Sequence, residues 1–187
     1  MKKNPSLIGL LVVCGLAVLI LIIYNTFLSK KDGYVIDNPS NKTLSIKING
    51  KDFTVAPQQN ARIELPKGKT KIAYSFNNKK VDTVVDITRA SGMINPFREE
   101  YITFTRPYGV RKNKDSIFLS NNSAIDNKVF HGIIEKSSQL YIENFYYNID
   151  QDYPKMFIKS ASSEKATDLS KIFNKEDFKQ FYFENYE

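Results

Sequence analysis

TLSIKINGKDFTVA, from Thr43 to Ala56, is the stretch that decides the fold. Its first half places Leu44, Ile46 and Ile48 on one side of an extended chain and Ser45 and Lys47 on the other. That period of two fits a strand with one buried face. Asn49-Gly50 comes next, and a type I′ turn needs positive φ at both central residues, which Asn and Gly tolerate best. Asp52 to Ala56 then returns as the partner strand.

The pattern continues on both sides. Upstream, YVID (34–37) reads as a strand and NPSNK (38–42) as a turn. Downstream, Pro57-Gln58-Gln59 interrupts and ARIEL (61–65) alternates again. Pro66-Lys67-Gly68-Lys69 turns into TKIAYSF (70–76), Asn77-Asn78 turns once more, and VDTVVDI (81–87) closes the series. Six short strands separated by turn residues predict an antiparallel β-sandwich-like domain.

Within this region, Asn38 to Ile72 resembles the small PEGA-type β domains of bacterial envelope proteins. Those domains run through an I-D-G-type hairpin into an L-P-x-G-x-H-x-I/V element. Ile48-Asn49-Gly50 and Leu65-Pro66-Lys67-Gly68-Lys69-Thr70-Lys71-Ile72 are the matching positions. The Pro-Glu-Gly-Ala signature itself is absent, and Thr70-Lys71 stands where histidine is commoner. The resemblance implies a β fold and an envelope setting, with no activity attached.

The second half is less regular. Met93-Ile94-Asn95-Pro96-Phe97 reads as a capped turn and Tyr101 to Thr105 as a strand. A loop with Arg111-Lys112-x-Lys114 follows, and Asn121, Asn122 and Asp126-Asn127 extend the polar connection. Strand-like text resumes at KVFHGIIE (128–135), LYIENFYYNI (140–149) and MFIKS (156–160). Thr167 to Phe173 predicts a short helical turn capped by Thr167. Asn174 then caps a helix over KEDFKQFYFENY, in which Phe178, Phe181 and Tyr182 share one face.

At the other end, no charge occurs from Asn4 to Ser29, and Leu7 to Tyr24 is almost unbroken apolar text. About 20 helical residues cross a bilayer, so Leu7 to Leu28 predicts one transmembrane helix. A cleaved signal peptide would have a shorter core and a small-residue cleavage site. A lipoprotein would want Gly or Ala before Cys14, where Val13 stands. The expected layout is a cytoplasmic tail (1–6), the span (7–28), a linker (29–33), a β domain (34–110) and a β-rich extension ending in a helix (111–187). A tail this short favours an exported C-terminal part.

Composition limits the chemistry. The 187 residues are 42% hydrophobic and 25% charged, a balance that builds a core. One Cys excludes an intrachain disulfide framework or a cysteine zinc site, and one His excludes a two-histidine metal site. The net charge of +7 rests on Lys rather than Arg clusters, which argues against nucleic acid as a partner. His131 sits in an apolar strand with no nucleophile motif around it. Gly68-Lys69-Thr70 lacks the earlier Gly and the following helix of a phosphate loop. Asp150-x-Asp152 lacks the later ligands of a calcium loop, and Glu99-Glu100 would point to opposite faces of a strand.

What remains is binding. Phe145-Tyr146-Tyr147 and Phe181-Tyr182-Phe183 cannot bury all their rings in one core, so one member of each is expected at the surface. Phe145, Tyr146, Tyr147 and Tyr153, with Arg106, Arg111, Lys112 and Lys114, form the candidate interaction surface. The sequence therefore points to a non-enzymatic, single-pass protein of the bacterial inner membrane, its β domain in the periplasm. It would need no cofactor and would bind another envelope protein, as an assembly subunit or a tethered toxin-neutralising protein. The oligomeric state is left open. A second reading is an anchored hydrolase of glycans or peptidoglycan, using two carboxylates about 5–10 Å apart in a groove.

Overall fold

Asn49 and Gly50 take positive φ, 48° and 83°, in the computed structural model of the chain, which describes residues 5–23, 33–76, 79–108, 119–152 and 167–186. The turn joins β2 (Leu44–Ile48) to β3 (Lys51–Val55), with Ile48 opposite Lys51 and Leu44 opposite Val55. Leu44, Ile46 and Ile48 are buried while Ser45 and Lys47 are exposed, as the alternation requires. A Cβ at Gly50 would meet nothing within 4 Å. Gly50→Val is therefore expected to destabilise the chain through its backbone alone, by about 1–2 kcal/mol. An unchanged melting temperature would remove the type I′ assignment.

β5 (Gly68–Phe76) and β6 (Lys79–Ile87) complete this sheet in the order β3-β2-β5-β6. A second sheet runs β12-β7-β1-β4, from β1 (Gly33–Asn38), β4 (Gln59–Ile63), β7 (Ser91–Ile94) and β12 (Tyr141–Ile142). One apolar cluster joins the two sheets: Tyr34, Ile36, Ile63 and Ile94 pack with Ile46, Ile48, Ile72 and Ile87. β1 is buried along its whole length, so its opposite face also needs a cover. β8 (Tyr101–Tyr108) supplies it, flanked by β11 (Ile133–Ser137) and β13 (Thr167–Phe173). Tyr101 and Ile172 from this third sheet pack with Met93, Ile142 and Phe145. Beyond it, Ile102, Phe104 and Phe173 meet α2 (Lys175–Tyr186) and the hairpin of β9 (Asn122–Ile125) and β10 (Lys128–His131). The molecule is thus mainly β, with antiparallel sheets and a short C-terminal helix, and residues 33–187 form one compact unit.

The Asn174 cap is present. Its side-chain carbonyl accepts from the Asp177 main-chain N–H at 2.8 Å, and its amide donates to the Asp177 carboxylate at 2.8 Å. Phe178 and Tyr182 are buried, and Phe181 packs beside them.

Four expectations are corrected. Thr167 to Phe173 is a strand, not a helical turn, paired with β8 from Thr167 opposite Tyr108 to Phe173 opposite Ile102. Met93 and Ile94, expected to open a turn over 93–97, instead end the strand Ser91–Ile94, which runs parallel to β1. The polar connection around Asn122 contains β9, closed onto β10 by Asp126 and Asn127 at φ 48° and 63°. The strand-like text from Leu140 to Ile149 pairs only at Tyr141 and Ile142, with a single bridge from Tyr147 to Lys171.

α1 (Pro5–Ile23) covers most of the predicted span, and the stretch 24–28 lies outside the described residues. Among the described residues, no helix is long and apolar enough to cross a membrane. The expected span of 22 residues is thus not shown: the described helix has 19 residues and is not a candidate span.

Candidate interaction surface

The aromatic triplet 145–147 is pulled apart by its backbone. The main-chain N–H groups of Tyr146 and Tyr147 donate to the Ser170 carbonyl at 2.9 and 2.8 Å, and Ile172 N–H donates to the Tyr147 carbonyl at 3.1 Å. Those bonds dock the segment against β13 and turn Phe145 inward, where it is buried with Met93, Tyr101 and Ile172. Tyr146 faces out at 45% exposure, its ring 4.9 Å from that of the half-buried Tyr147. In the second triplet Tyr182 is buried and Phe183 is the exposed member.

Of the basic residues proposed with them, Arg106 is buried, its guanidinium 5.8 Å from the Phe181 ring centre. It shares a strand face with Ile102 and Phe104 and belongs to the interior. Arg111, Lys112, Lys114 and Tyr153 lie outside the described residues. Among the described residues, the candidate surface therefore reduces to Tyr146 and Tyr147.

A cavity of about 780 Å³ opens between the 149–152 turn, β13 and α2. Lys171 at its floor is buried, and its ammonium donates to the carbonyls of Asn148, Ile149 and Gln151 at 2.9, 3.3 and 2.6 Å. With all three N–H directions engaged, it clamps the turn to β13 and is not a nucleophile in waiting. Three carboxylates line the same cavity, yet Asp150 is held by Arg62 at 2.7–3.0 Å and Asp177 accepts from the amide of the Asn174 cap.

Burial pushes the Lys171 amine down to about 8, against the pull of Asp150, Asp152 and Asp177. The sign of its effect on stability follows. Between that value and the ordinary lysine range the unfolded chain holds the extra proton, so stability rises with pH there. Relative to Lys171→Met, the wild type is expected to gain on the order of 1 kcal/mol between pH 8 and 10. Urea unfolding at stepped pH measures the difference, and parallel curves would refute it.

The other polar motifs are structural. Thr70 is buried within β5 and strand continues past it, so no phosphate loop exists there. His131 is half-buried at the end of β10, where its main-chain N–H donates to the Tyr182 hydroxyl at 3.0 Å. Among the described residues, no group of three or more His, Cys, Asp or Glu converges as a metal site would.

Two features escaped the sequence reading. The buried Asp37 carboxylate, on β1, accepts a hydrogen bond from the Tyr101 hydroxyl on β8. Only the pairing of two sheets distant in sequence could have shown it. The other is β6, which ends its sheet without a further strand among the described residues. Its text was legible as a strand, but nothing local marks it as an edge. Comparison with family models, with curated proteins and with solved structures finds nothing that matches the chain.

Proposed function

We propose that the chain is a membrane-anchored, non-enzymatic binding protein of the bacterial envelope, its β unit on the exported side of the inner membrane. One observation carries the reading. α1 reads PSLIGLLVVCGLAVLILII with no charged residue, so it is apolar on all sides rather than along one stripe. A helix of that kind is a core helix or a membrane helix. The described 19 residues fall short of a span by themselves, but the charge-free text of the sequence runs on to Ser29, and about 20 apolar helical residues cross a bilayer. The likeness of residues 38–72 to PEGA-type domains supports the envelope setting.

The binding role rests on large apolar side chains at the surface. Tyr146, Phe183 and Val129 are exposed. The partner is another envelope protein, met as an assembly subunit or as an incoming toxin. Among the described residues, Asp150 and Asp177 of the cavity are held by Arg62 and the Asn174 cap, which gives the hydrolase reading no support.

A reporter active only outside the cytoplasm, fused after Glu187, is expected to be active. Activity of a cytoplasm-only reporter at that position would refute the orientation. Extraction of the chain by alkaline carbonate would refute the anchor.

A further inference from the structure

The edge of the first sheet is unusual in its length and regularity. β6 runs nine residues, KKVDTVVDI, and pairs with β5 in nine consecutive register positions from Gly68–Ile87 to Phe76–Lys79. It holds no Pro or Gly, and the ladder has no bulge. The other described strands that end a sheet span two to seven residues. Long regular edges expose a row of N–H and C=O groups and invite another strand, unless something blunts them. Charged residues are one such device, and β6 carries four. Their order decides whether they repel a neighbour or select one.

We propose that β6 pairs antiparallel with β6 of a second copy of this chain, about a two-fold axis at Thr83. In that register Lys80 of each copy lies opposite Asp86 of the other, Val81 lies opposite Val85, and Thr83 meets itself. All nine residues are paired, because Thr83 is the midpoint of the strand. The faces also match. Lys80, Asp82, Val84 and Asp86 are exposed on the outer face, and Val81, Thr83 and Val85 are half-buried on the inner one. A shift of the two-fold axis to Asp82 sets Asp82 against itself, and a shift to Val84 sets Asp82 against Asp86. Shifts that pair odd with even residues join an outer face to an inner face. The register of greatest overlap is therefore also the one in which opposite charges meet twice and like charges do not meet. Val81 and Val85 already pack on the core between the sheets, so pairing extends that apolar row across the axis. The result is one continuous eight-stranded sheet shared by two copies.

This inference does not depend on the membrane reading, although two copies anchored in one bilayer would meet at a raised effective concentration. The test uses the full chain in membranes with Cys14→Ser, which removes its one cysteine. Thr83→Cys is expected to form a disulfide-linked dimer under mild oxidation, since directly opposed residues lie within disulfide reach. Thr54→Cys, exposed on the opposite edge strand β3, serves as the control and should not. Association through α1 would raise both yields alike. Lys80→Glu is expected to weaken dimerisation roughly tenfold, and adding Asp86→Lys should restore it, because the pair is then reversed rather than lost. Lys69 lies opposite Asp86 on β5, so the double variant's circular dichroism must first match that of wild type. Equal cross-linking of Thr83→Cys and Thr54→Cys would overturn the proposal, as would a wild-type yield from Lys80→Glu. Cross-linking of Thr83→Cys only to a different protein would show that the edge takes a foreign strand, and would overturn it too.

Discussion

Phe178→Ala is expected to lower the stability of the chain by about 3–5 kcal/mol, the usual cost of deleting a buried aromatic ring. Phe178 is fully buried where three elements meet, its ring centre 5.7 Å from Phe104, 5.3 Å from Phe130 and 6.0 Å from Phe173. β8, β10 and β13 each contribute one of these rings, so the cavity would lie at a junction that cannot close by moving one side chain. A 12-residue helix is marginal in isolation, and α2 exists because this packing holds it. Phe183→Ala, five residues along, is the control. Its ring is 39% exposed and makes a lateral contact with Phe130 and a cation–π contact with Lys128 at 4.1 Å. Its loss should cost about 1 kcal/mol. Equal effects of the two substitutions in urea unfolding would show that α2 is not docked through the Phe178 face.

Tyr101→Phe is the second large effect, about 1.5–3 kcal/mol at neutral pH, because it removes the hydroxyl that bonds a buried carboxylate. Burial raises the Asp37 carboxyl above its ordinary value, although the Tyr101 bond opposes the shift. The Tyr101 phenol is itself pushed upward by burial and by the neighbouring charge, so it stays a donor. A raised carboxyl means that the folded state keeps its proton after the unfolded chain has lost it. That contribution to stability is largest at acid pH and falls as pH rises through the folded value. Asp37→Asn keeps an acceptor for Tyr101 and removes the charge. It is therefore expected to gain on wild type as pH rises above the ordinary carboxylate range, whereas Tyr101→Phe should lose ground over the same rise. Flat differences for both variants would place the Asp37 carboxylate in contact with water.

The residues explain which parts of this fold were legible. Leu44, Ile46 and Ile48 alternate without interruption and Asn49-Gly50 accepts only one common turn, so β2 and β3 are written locally. The Asn174 cap is equally local, because its bonds go three residues forward. β13 was misread because Lys171 sits buried among Leu169, Ile172 and Phe173, and a buried lysine breaks the strand pattern. What makes it acceptable there is a set of carbonyls 20 to 23 residues away. β7 was misread because Asn95-Pro96 reads as a turn, while its pairing partner β1 lies about 60 residues earlier. Of the candidate surface, the logic that one ring per triplet must face out identified Tyr146 and Phe183 as a class, but not which ring it would be. Arg106 failed for the opposite reason: a guanidinium over Phe181 has an interior place that composition cannot reveal.

The parallel partner of β1 also has a mechanical meaning. Any tether running from α1 enters the compact unit at Gly33, the first residue of a strand gripped on both sides. Five register pairs hold β1 to β4 and four hold it to β7. A tug directed along β1 would load these rungs together, in shear, instead of peeling them off singly as it would from a hairpin end. Resistance to such a pull is a matter of unfolding rate rather than equilibrium stability. A unit pulled at Gly33 takes the load on an interior strand and not on an edge.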